Sequence, residues 1–314
     1  MKSAVIGTGA IGGFYGGKLA HSGLDVHFLA RSDFKEMSEA LTVDSCDGSF
    51  VIDKPNVYSN TADMPAVDVV IVGLKTISNH QLPELLKPLL ANNPIVLLIQ
   101  NGICVETDLE KKIPGIQLMA GLAFICSTKI RPAHILHQDY GSLILANYSC
   151  TNQSVIDTLA HDLTAAGIKT EFAEYNFARW RKAIWNLPFN GLAVVKDTDT
   201  LQLVENAETY ALTEAIMNEV VAIANATGVS ELGQEHIQNN LYLTKNMKPY
   251  HPSMKVDYDC HRPMEVYYLY SRAIMEADRL GVPCPNLKAL ETELLKMNEI
   301  NTRLRVSESK NKLA

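Results

Sequence analysis

Several features that would point to other classes of protein are missing from this chain. Its six cysteines form no Cys-x-x-Cys pair and lie mostly within apolar patterns, so neither a disulfide framework nor a zinc site is indicated. No apolar run approaches the roughly 18 residues that a membrane-spanning helix needs. Internal repeats and low-complexity segments are also missing. The absence of these features argues against a secreted disulfide scaffold, a zinc module, a membrane-spanning protein and a repeat protein.

The charge balance lacks a basic excess. Lys and Arg total 28 against 35 Asp and Glu, a formal net charge of −7. Nucleic acids and anionic membranes attract basic surfaces, so neither is the expected partner. Anionic small molecules remain possible partners, through local positive sites. The N-terminus resembles a strand rather than a signal peptide, and we therefore expect a cytoplasmic protein. The sequence leaves monomer and homodimer open.

The chain is long enough for two domains. It has 314 residues with 47% hydrophobic content, and its pattern changes near residue 174 from strand-like runs to long helical periods. This predicts an α/β protein in which an N-terminal Rossmann-type doubly wound sheet, residues 1–173, precedes an all-helical domain, residues 174–314.

A glycine-rich turn follows the first predicted strand. Residues 3–6 are β-prone or small and apolar, and the G-x-G-x-x-G spacing comes next, ahead of a helical pattern: Gly7, Thr8, Gly9, Ala10, Ile11 and Gly12. The first glycine allows a sharp turn, the second lets the backbone approach a pyrophosphate, and the third lets the helix pack on the strand. In this position the motif predicts dinucleotide binding. The alternative is a glycine-rich turn without a ligand.

The end of the second predicted strand, residues 25–30, bears on which dinucleotide binds. NAD sites usually place Asp or Glu there to accept a hydrogen bond from the ribose 2′-OH, whereas this strand ends in Ala30 and Arg31. An arginine favours a 2′-phosphate, and we therefore expect NADP(H). The alternative is that Arg31 is an exposed loop residue and that Asp33 serves the ribose.

Two continuous apolar runs predict central parallel strands. Residues 67–74 end at Lys75, residues 94–99 are followed by Gln100 and Asn101, and a helical pattern over 77–90 separates them. Ligands of doubly wound sheets bind beyond the carboxyl ends of the strands, so Lys75 and Asn101 are candidate binding residues. Each is otherwise an ordinary loop residue.

The remaining periodicities predict four further strands and six further helices. The strands cover 117–129, 135–137, 142–146 and 169–172, and the helices cover 153–166, 176–195, 207–227, 232–245, 263–280 and 287–300. A polar tail follows at 307–314. The histidines at 134 and 137 match no metal-ligand spacing, and no metal is expected.

One polar stripe stands out in the first helix of the second domain. Lys182, Asn186 and Asn190 are spaced by four residues and therefore share one helix face, while Pro188 is expected to disturb the helix locally. Such a stripe is most often a solvated surface. Its position at the start of the second domain favours a site facing the nicotinamide.

In order and spacing, these pieces resemble the ketopantoate reductases, the NADPH-dependent 2-dehydropantoate 2-reductases of pantothenate and coenzyme A biosynthesis. The resemblance covers nearly the whole chain and rests on these segments: the start of the glycine turn, Arg31, Leu74-Lys75, Gln100-Asn101-Gly102, Trp180-x-Lys182-x-x-x-Asn186-x-x-x-Asn190, Pro252-Ser253-Met254-x-x-Asp257 and Glu265.

The resemblance implies a role for each matching residue. Lys182 would be the general acid, and Ser253 would contact the substrate carboxylate. Glu265 would be a catalytic residue that holds the substrate hydroxyl and also contacts the cofactor. The three asparagines would position substrate and nicotinamide: Asn101, Asn186 and Asn190. Arg31 and Lys75 would hold the 2′-phosphate of NADP(H). The chemistry agrees, because reduction of a ketone creates an alkoxide that a nearby ammonium stabilises and protonates.

One stretch departs from the pattern. Family members commonly continue after the glutamate with Tyr-Leu-Asn-Gly, whereas this chain has Tyr268-Leu269-Tyr270-Ser271, which is bulkier at two positions. The departure leaves the identity of the 2-oxo acid open. The alternatives are a reductase of another 2-oxo acid, of the opine or 3-hydroxyacid dehydrogenase type, and a non-catalytic NADP(H)-binding regulator.

Overall fold

The computed structural model of the chain describes residues 1–311, with side chains through residue 305. The chain forms two compact units, the first made of Met1–Asn101 and Val105–Tyr175 and the second of Gly102–Cys104 and Asn176–Ala314. The first unit thus reaches two residues beyond the predicted boundary, and a three-residue segment after Asn101 belongs to the second. Within the described residues, the structure contains no helix with the length and apolar character to cross a membrane.

The first unit is built on one ten-stranded mixed sheet. Its strands are β1 Lys2–Ile6, β2 Asp25–Leu29, β3 Ala40–Ser45, β4 Phe50–Asp53, β5 Asn56–Tyr58, β6 Val69–Val72, β7 Ile95–Leu98, β8 Gln117–Arg131, β9 His134–Asn147 and β10 Thr170–Phe172. The order is β4-β3-β9-β8-β7-β6-β1-β2-β5, with β10 paired to β9. From β8 to β5 every neighbouring pair is parallel, which confirms the predicted Rossmann-type sheet.

Apolar residues explain the centre of this sheet. All four residues of β6 and all four of β7 are buried, as expected for parallel strands covered on both faces. Large side chains on α1, Ala10–His21, including Phe14 and Leu19, join the same core. The glycine turn between β1 and α1 is therefore held by a rigid support.

The first unit contains four other helices, α2 Phe34–Glu39, α3 Leu82–Leu86, α4 Val105–Lys112 and α5 Gln153–Ala165. Two of them, α2 and α4, were not predicted. The predicted helix over 77–90 is wrong as a single element, because α3 is flanked by 3₁₀ segments at Thr76–Gln81 and Lys87–Asn92. Pro83 and Pro88 lie near these joints, and proline removes the backbone donor that a continuous helix requires.

The two strands predicted over 135–137 and 142–146 form one long strand, β9, paired antiparallel with β8. Tyr140 and Gly141 lie between the predicted strands, and both have positive φ angles, of 63° and 115°. The register also shifts beside them, between Phe124 and Ile125. These residues form a bulge within the strand rather than a connecting turn.

The second unit contains helices and no strand among its described residues, which confirms an all-helical second part. The helices are α6 Tyr175–Val195, α7 Thr200–Glu205, α8 Ala207–Ala226, α9 Gln234–Asn246, α10 Ser253–Asp259, α11 Arg272–Leu280 and α12 Pro285–Asn311, with a π-helical segment at Tyr267–Ser271 before α11. Its core includes Leu187, Phe189, Val220 and Tyr270.

Four local expectations for the second unit need correction. Ser253 begins α10 instead of lying in a loop, and α6 continues through Pro188 without interruption. The helix predicted from residue 263 begins after Glu265. The last helix extends to Asn311 rather than ending at residue 300, and residues 312–314 of the predicted polar tail lie outside the described residues.

Candidate functional site

The glycine turn has the geometry of a phosphate-binding loop. Gly7 has a φ angle of +94°, and a methyl group at Gly12 would lie 2.1 Å from the Gly7 carbonyl oxygen. A methyl group at Gly9 would meet nothing within 4 Å. Gly9 is also the N-cap of α1, and no side chain caps that helix end. The turn is therefore tightly packed at Gly7 and Gly12, and it leaves open space for an anion at Gly9, the N-terminus of the helix.

A partly buried ion pair between Asp33 and Lys129 supports the glycine turn. The Asp33 carboxylate pairs with Lys129 and also accepts a hydrogen bond from the Ala133 backbone N–H at 3.2 Å. Lys129 Nζ donates in addition to the Thr8 carbonyl oxygen at 3.1 Å. The Asp33 side chain is 4% exposed, so it is committed to this network. This argues against Asp33 as the partner of a ribose.

Lys129 is a residue that the sequence reasoning missed. It lies at the end of a predicted strand, 96 residues from Asp33, and no spacing pattern links the two. The pairing of β8 within the sheet brings the Lys129 ammonium to the Thr8 carbonyl oxygen of the glycine turn. The one available sequence signal is a lysine at the end of a largely apolar predicted strand, and that signal is weak.

Two exposed cations lie on neighbouring loops of the same unit. Arg31 Nη1 donates to Gln81 Oε1 at 2.8 Å, and no carboxylate among the described residues pairs with it. Gln81 ends the 3₁₀ segment whose N-cap is Lys75, which is also exposed. The loop after β2 is thus tied to the segment after β6. The two cations predicted to hold a phosphate come from loops that are joined to each other.

The ends of β6 and β7 are locked together by a buried amide pair. Gln100 Nε2 donates to the Leu74 carbonyl oxygen at 2.6 Å and to Asn79 Oδ1 at 2.8 Å, and Asn79 Nδ2 donates back to Gln100 Oε1 at 3.2 Å. This fixes the positions of Lys75 and Asn101. Within the described residues the half-buried Asn101 side chain has no hydrogen-bond partner, so its amide is available to a ligand.

In the second unit, Lys182 has the electrostatics of an acid catalyst. It is half-buried on α6, and burial lowers its pKa to about 7, with a further contribution from the nearby Arg179 guanidinium. Arg179 lies one turn earlier on the helix and is 3% exposed. A lysine with a pKa near the working pH can give up its proton readily.

The two asparagines of the stripe differ in what they bind. Asn190 is fully engaged, because its Oδ1 accepts from the Met254 backbone N–H at 3.2 Å and from Ser253 Oγ at 3.4 Å, and its Nδ2 donates to the Asn186 carbonyl oxygen at 3.0 Å. Asn186 is 6% exposed, and its amide has no hydrogen-bond partner in the described part of the chain. Asn190 therefore holds the start of α10, where Ser253 is exposed, while Asn186 retains its hydrogen-bonding capacity.

Glu265 lies just before a π-helical turn. It is half-buried, and its carbonyl oxygen accepts from the Leu269 N–H at 3.3 Å. Of the two bulkier residues of the departing stretch, Tyr270 has no exposed surface, and the half-buried Ser271 donates a hydrogen bond to the Glu291 carboxylate. π-helical turns often occur at functional sites, where they change the direction of a side chain.

One group of possible metal ligands occurs among the described residues, made of Cys46, Asp47 and His137, with atoms within 4.8 Å of one another. The His137 Nδ1 atom that faces the group already lies 2.8 Å from Ser45 Oγ, and its Nε2 faces the carbonyl oxygens of Asp139 and Tyr140. Because Nδ1 is engaged, the arrangement does not favour a metal. That no metal takes part stays a prediction.

Comparison with known proteins bears on the whole chain. The family model of ketopantoate reductase PanE/ApbA matches residues 3–149, and its C-terminal model matches residues 175–299. The chain is 41% identical over 300 residues to the 2-dehydropantoate 2-reductase of Nostoc sp., covering 93% of this chain and 94% of that protein.

Solved structures of 2-dehydropantoate 2-reductases are also similar to this chain. The crystal structure of 2-dehydropantoate 2-reductase from Geobacter metallireducens superposes with a TM-score of 0.90 at 31% identity, covering 96% of this chain and 100% of that one. The corresponding protein from Methylococcus capsulatus superposes with a TM-score of 0.88 at 32% identity, with coverages of 96% and 98%.

Proposed function

The chain belongs to the ketopantoate reductase PanE/ApbA family. We propose that it reduces the ketone of 2-dehydropantoate to pantoate with NADPH. The observation that supports this chemistry is the pKa of Lys182, which burial lowers to about 7. Lys182 lies on the same helix as Asn186, whose amide has no hydrogen-bond partner among the described residues. We further propose a cytoplasmic enzyme, monomeric or homodimeric, in pantothenate and coenzyme A biosynthesis.

The first unit supplies the residues for the cofactor. The uncapped N-terminus of α1 and the open space at Gly9 fit a pyrophosphate, with the backbone of these residues forming the cradle: Gly7, Thr8, Gly9, Ala10, Ile11 and Gly12. Arg31 and Lys75 would hold a 2′-phosphate. NADPH, when bound, supplies the hydride. Asn101 would orient the reacting groups through its unpaired amide.

The second unit supplies the residues for the substrate. Lys182 would donate its proton to the carbonyl oxygen and stabilise the negative charge that develops there. Asn186 would hold the same end of the substrate, and Ser253, positioned by Asn190, would contact the carboxylate. Glu265 would accept a hydrogen bond from the substrate hydroxyl.

A direct assay tests the proposal. NADPH oxidation should be fastest with ketopantoate in a panel of 2-oxo acids measured with and without amines. A faster reaction with another 2-oxo acid, or a reaction that needs an amine, would identify a different reductase. Tight NADPH binding without turnover of any substrate in the panel would identify a non-catalytic regulator.

Replacing Arg31 should alter cofactor preference. Arg31→Ala is expected to weaken NADPH binding by roughly 1.5–3 kcal/mol, about 10- to 150-fold, because a charge-assisted hydrogen bond to the 2′-phosphate is lost. NADH binding should change little, since NADH lacks that phosphate. Lys35→Ala, which removes an exposed cation four residues away, is the matched control. Equal losses for both cofactors would refute the role assigned to Arg31.

Replacing Glu265 should reduce substrate discrimination. Glu265→Gln keeps the size of the side chain but removes its charge, so the preference for ketopantoate over trimethylpyruvate, which lacks the hydroxyl, should fall about tenfold. Values of kcat/KM for the two substrates measure this preference. Glu293→Gln, at an exposed carboxylate of α12, should leave it unchanged. A wild-type enzyme that treats both substrates alike would contradict the assignment.

A further inference from the structure

The Tyr270 hydroxyl makes an unusual contact within the second unit. Tyr270 has no exposed surface, and its Oη donates a hydrogen bond to the Leu187 carbonyl oxygen of α6 at 2.7 Å. Burial raises the pKa of Tyr270 well above its usual value, and a hydrogen bond from the Gly191 backbone opposes that rise. The hydroxyl therefore stays protonated and remains a donor toward the helix backbone.

The lack of a side chain at Gly191 leaves room for the Tyr270 hydroxyl. A methyl group at Gly191 would lie 2.7 Å from Tyr270 Oη and 2.7 Å from Leu290 Cδ2, so a side chain there would displace the ring or the leucine. Pro188 has no backbone N–H, and the normal hydrogen-bond ladder of α6 is incomplete at that turn. The tyrosine therefore packs against α6 at Leu187, the residue next to Pro188.

The contact joins the two elements that carry the proposed substrate residues. Helix α6 bears Lys182, Asn186 and Asn190, and Tyr270 lies in the π-helical segment that begins two residues after Glu265. Leu187 is the neighbour of Asn186 along the chain. Because the hydrogen bond fixes the distance between Leu187 and Tyr270, it also limits where the Glu265 carboxylate can lie relative to the polar face of α6.

We propose that Tyr270 is a positioning residue that sets substrate specificity, because its hydrogen bond to Leu187 holds the Glu265 segment in register with the polar face of α6. The inference rests on the proposed function and refines it. The bulkier residue at position 270 adjusts the spacing between two substrate-binding groups from inside the core, without lining the binding site itself.

The test compares Tyr270→Phe with a matched hydroxyl deletion. Tyr270→Phe should lower the ratio of kcat/KM for ketopantoate over trimethylpyruvate by about 5- to 30-fold, while NADPH affinity stays near wild type. Tyr15→Phe is the control, because Tyr15 is equally buried and its hydroxyl donates to the Ser142 carbonyl oxygen at 3.2 Å in the first unit. The control should leave the substrate ratio unchanged.

Hydrogen exchange gives a second measurement that does not depend on turnover. Tyr270→Phe should speed exchange of the amides from Phe189 to Leu192 about tenfold or more, and Gly191→Ala, which displaces the same hydroxyl, should act in the same direction on both exchange and the ratio. An active wild type with an unchanged ratio in Tyr270→Phe, or unchanged exchange, would overturn this inference alone. A wild type that does not reduce ketopantoate would instead overturn the proposed function.

Discussion

Lys182→Met should lower kcat for ketopantoate reduction by about 10²- to 10⁴-fold, the range typical of general acid catalysis. The methionine keeps most of the volume of the lysine but has no proton to give and no charge to set against the developing alkoxide. NADPH affinity should stay near wild type, because most of the residues proposed to bind NADPH lie in the first unit. Steady-state kinetics with direct titration of NADPH separates the two quantities.

The pH dependence gives the sharper form of this test. Burial, followed by the nearby Arg179, lowers the pKa of Lys182 to about 7. The acid is protonated below that value, so kcat/KM should be level at lower pH and should fall about tenfold per pH unit above it. Lys182→Met should lack this alkaline decline. A mutant that keeps more than a tenth of the wild-type kcat, or that keeps the decline, would remove Lys182 from the mechanism.

Two controls distinguish chemistry from folding. Lys182→Arg keeps a positive charge that does not titrate in this range, so it should stabilise the oxyanion in part and show no decline. Because the native pKa of Lys182 is below its unfolded value, the buried ammonium destabilises the fold, fully so below pH 7 and less as pH rises toward 10.5. Lys182→Met should therefore unfold at a higher temperature than wild type at pH 7, with the difference shrinking at alkaline pH.

Gly12→Ala should have the second large effect, a loss of roughly 3–5 kcal/mol in the free energy of unfolding. The new methyl group would lie 2.1 Å from the Gly7 carbonyl oxygen and 3.1 Å from Val5 Cγ1, within a turn that the buried sheet holds rigid. Backbone atoms cannot move aside as a flexible side chain can. Denaturant unfolding of the variant measures the loss, and NADPH binding should disappear with the native turn.

Gly9→Ala is the matched variant, and it should behave in the opposite way. Nothing lies within 4 Å of a methyl group at this position, so stability should change by less than about 1 kcal/mol. NADPH affinity should nonetheless fall tenfold or more, because the methyl group would occupy the space that a pyrophosphate needs. Normal NADPH affinity in Gly9→Ala would show that the turn does not hold phosphates.

Much of the architecture followed from local periodicity. Runs such as 67–74 and 94–99 are apolar throughout, so each indicated a strand buried on both faces, and the glycine spacing at 7–12 indicated the turn between strand and helix. Some errors occurred where proline or a bulge changes a local pattern, and others concerned where a helix begins or ends. Residues 77–90 break into three short elements, and residues 140–141 lie inside one continuous strand.

The polar stripe of Lys182, Asn186 and Asn190 could be predicted from the sequence, because residues four apart on a helix share a face. What each of the three side chains can do depends on how the folded chain packs around it. The tertiary structure placed the half-buried Lys182 near Arg179, and it committed Asn190 to the start of α10. The pairing of Asp33 with Lys129 spans 96 residues and that of Tyr270 with Leu187 spans 83. Such contacts depend on how strands and helices pack, and a pKa depends on the resulting burial, so neither is encoded in any local period.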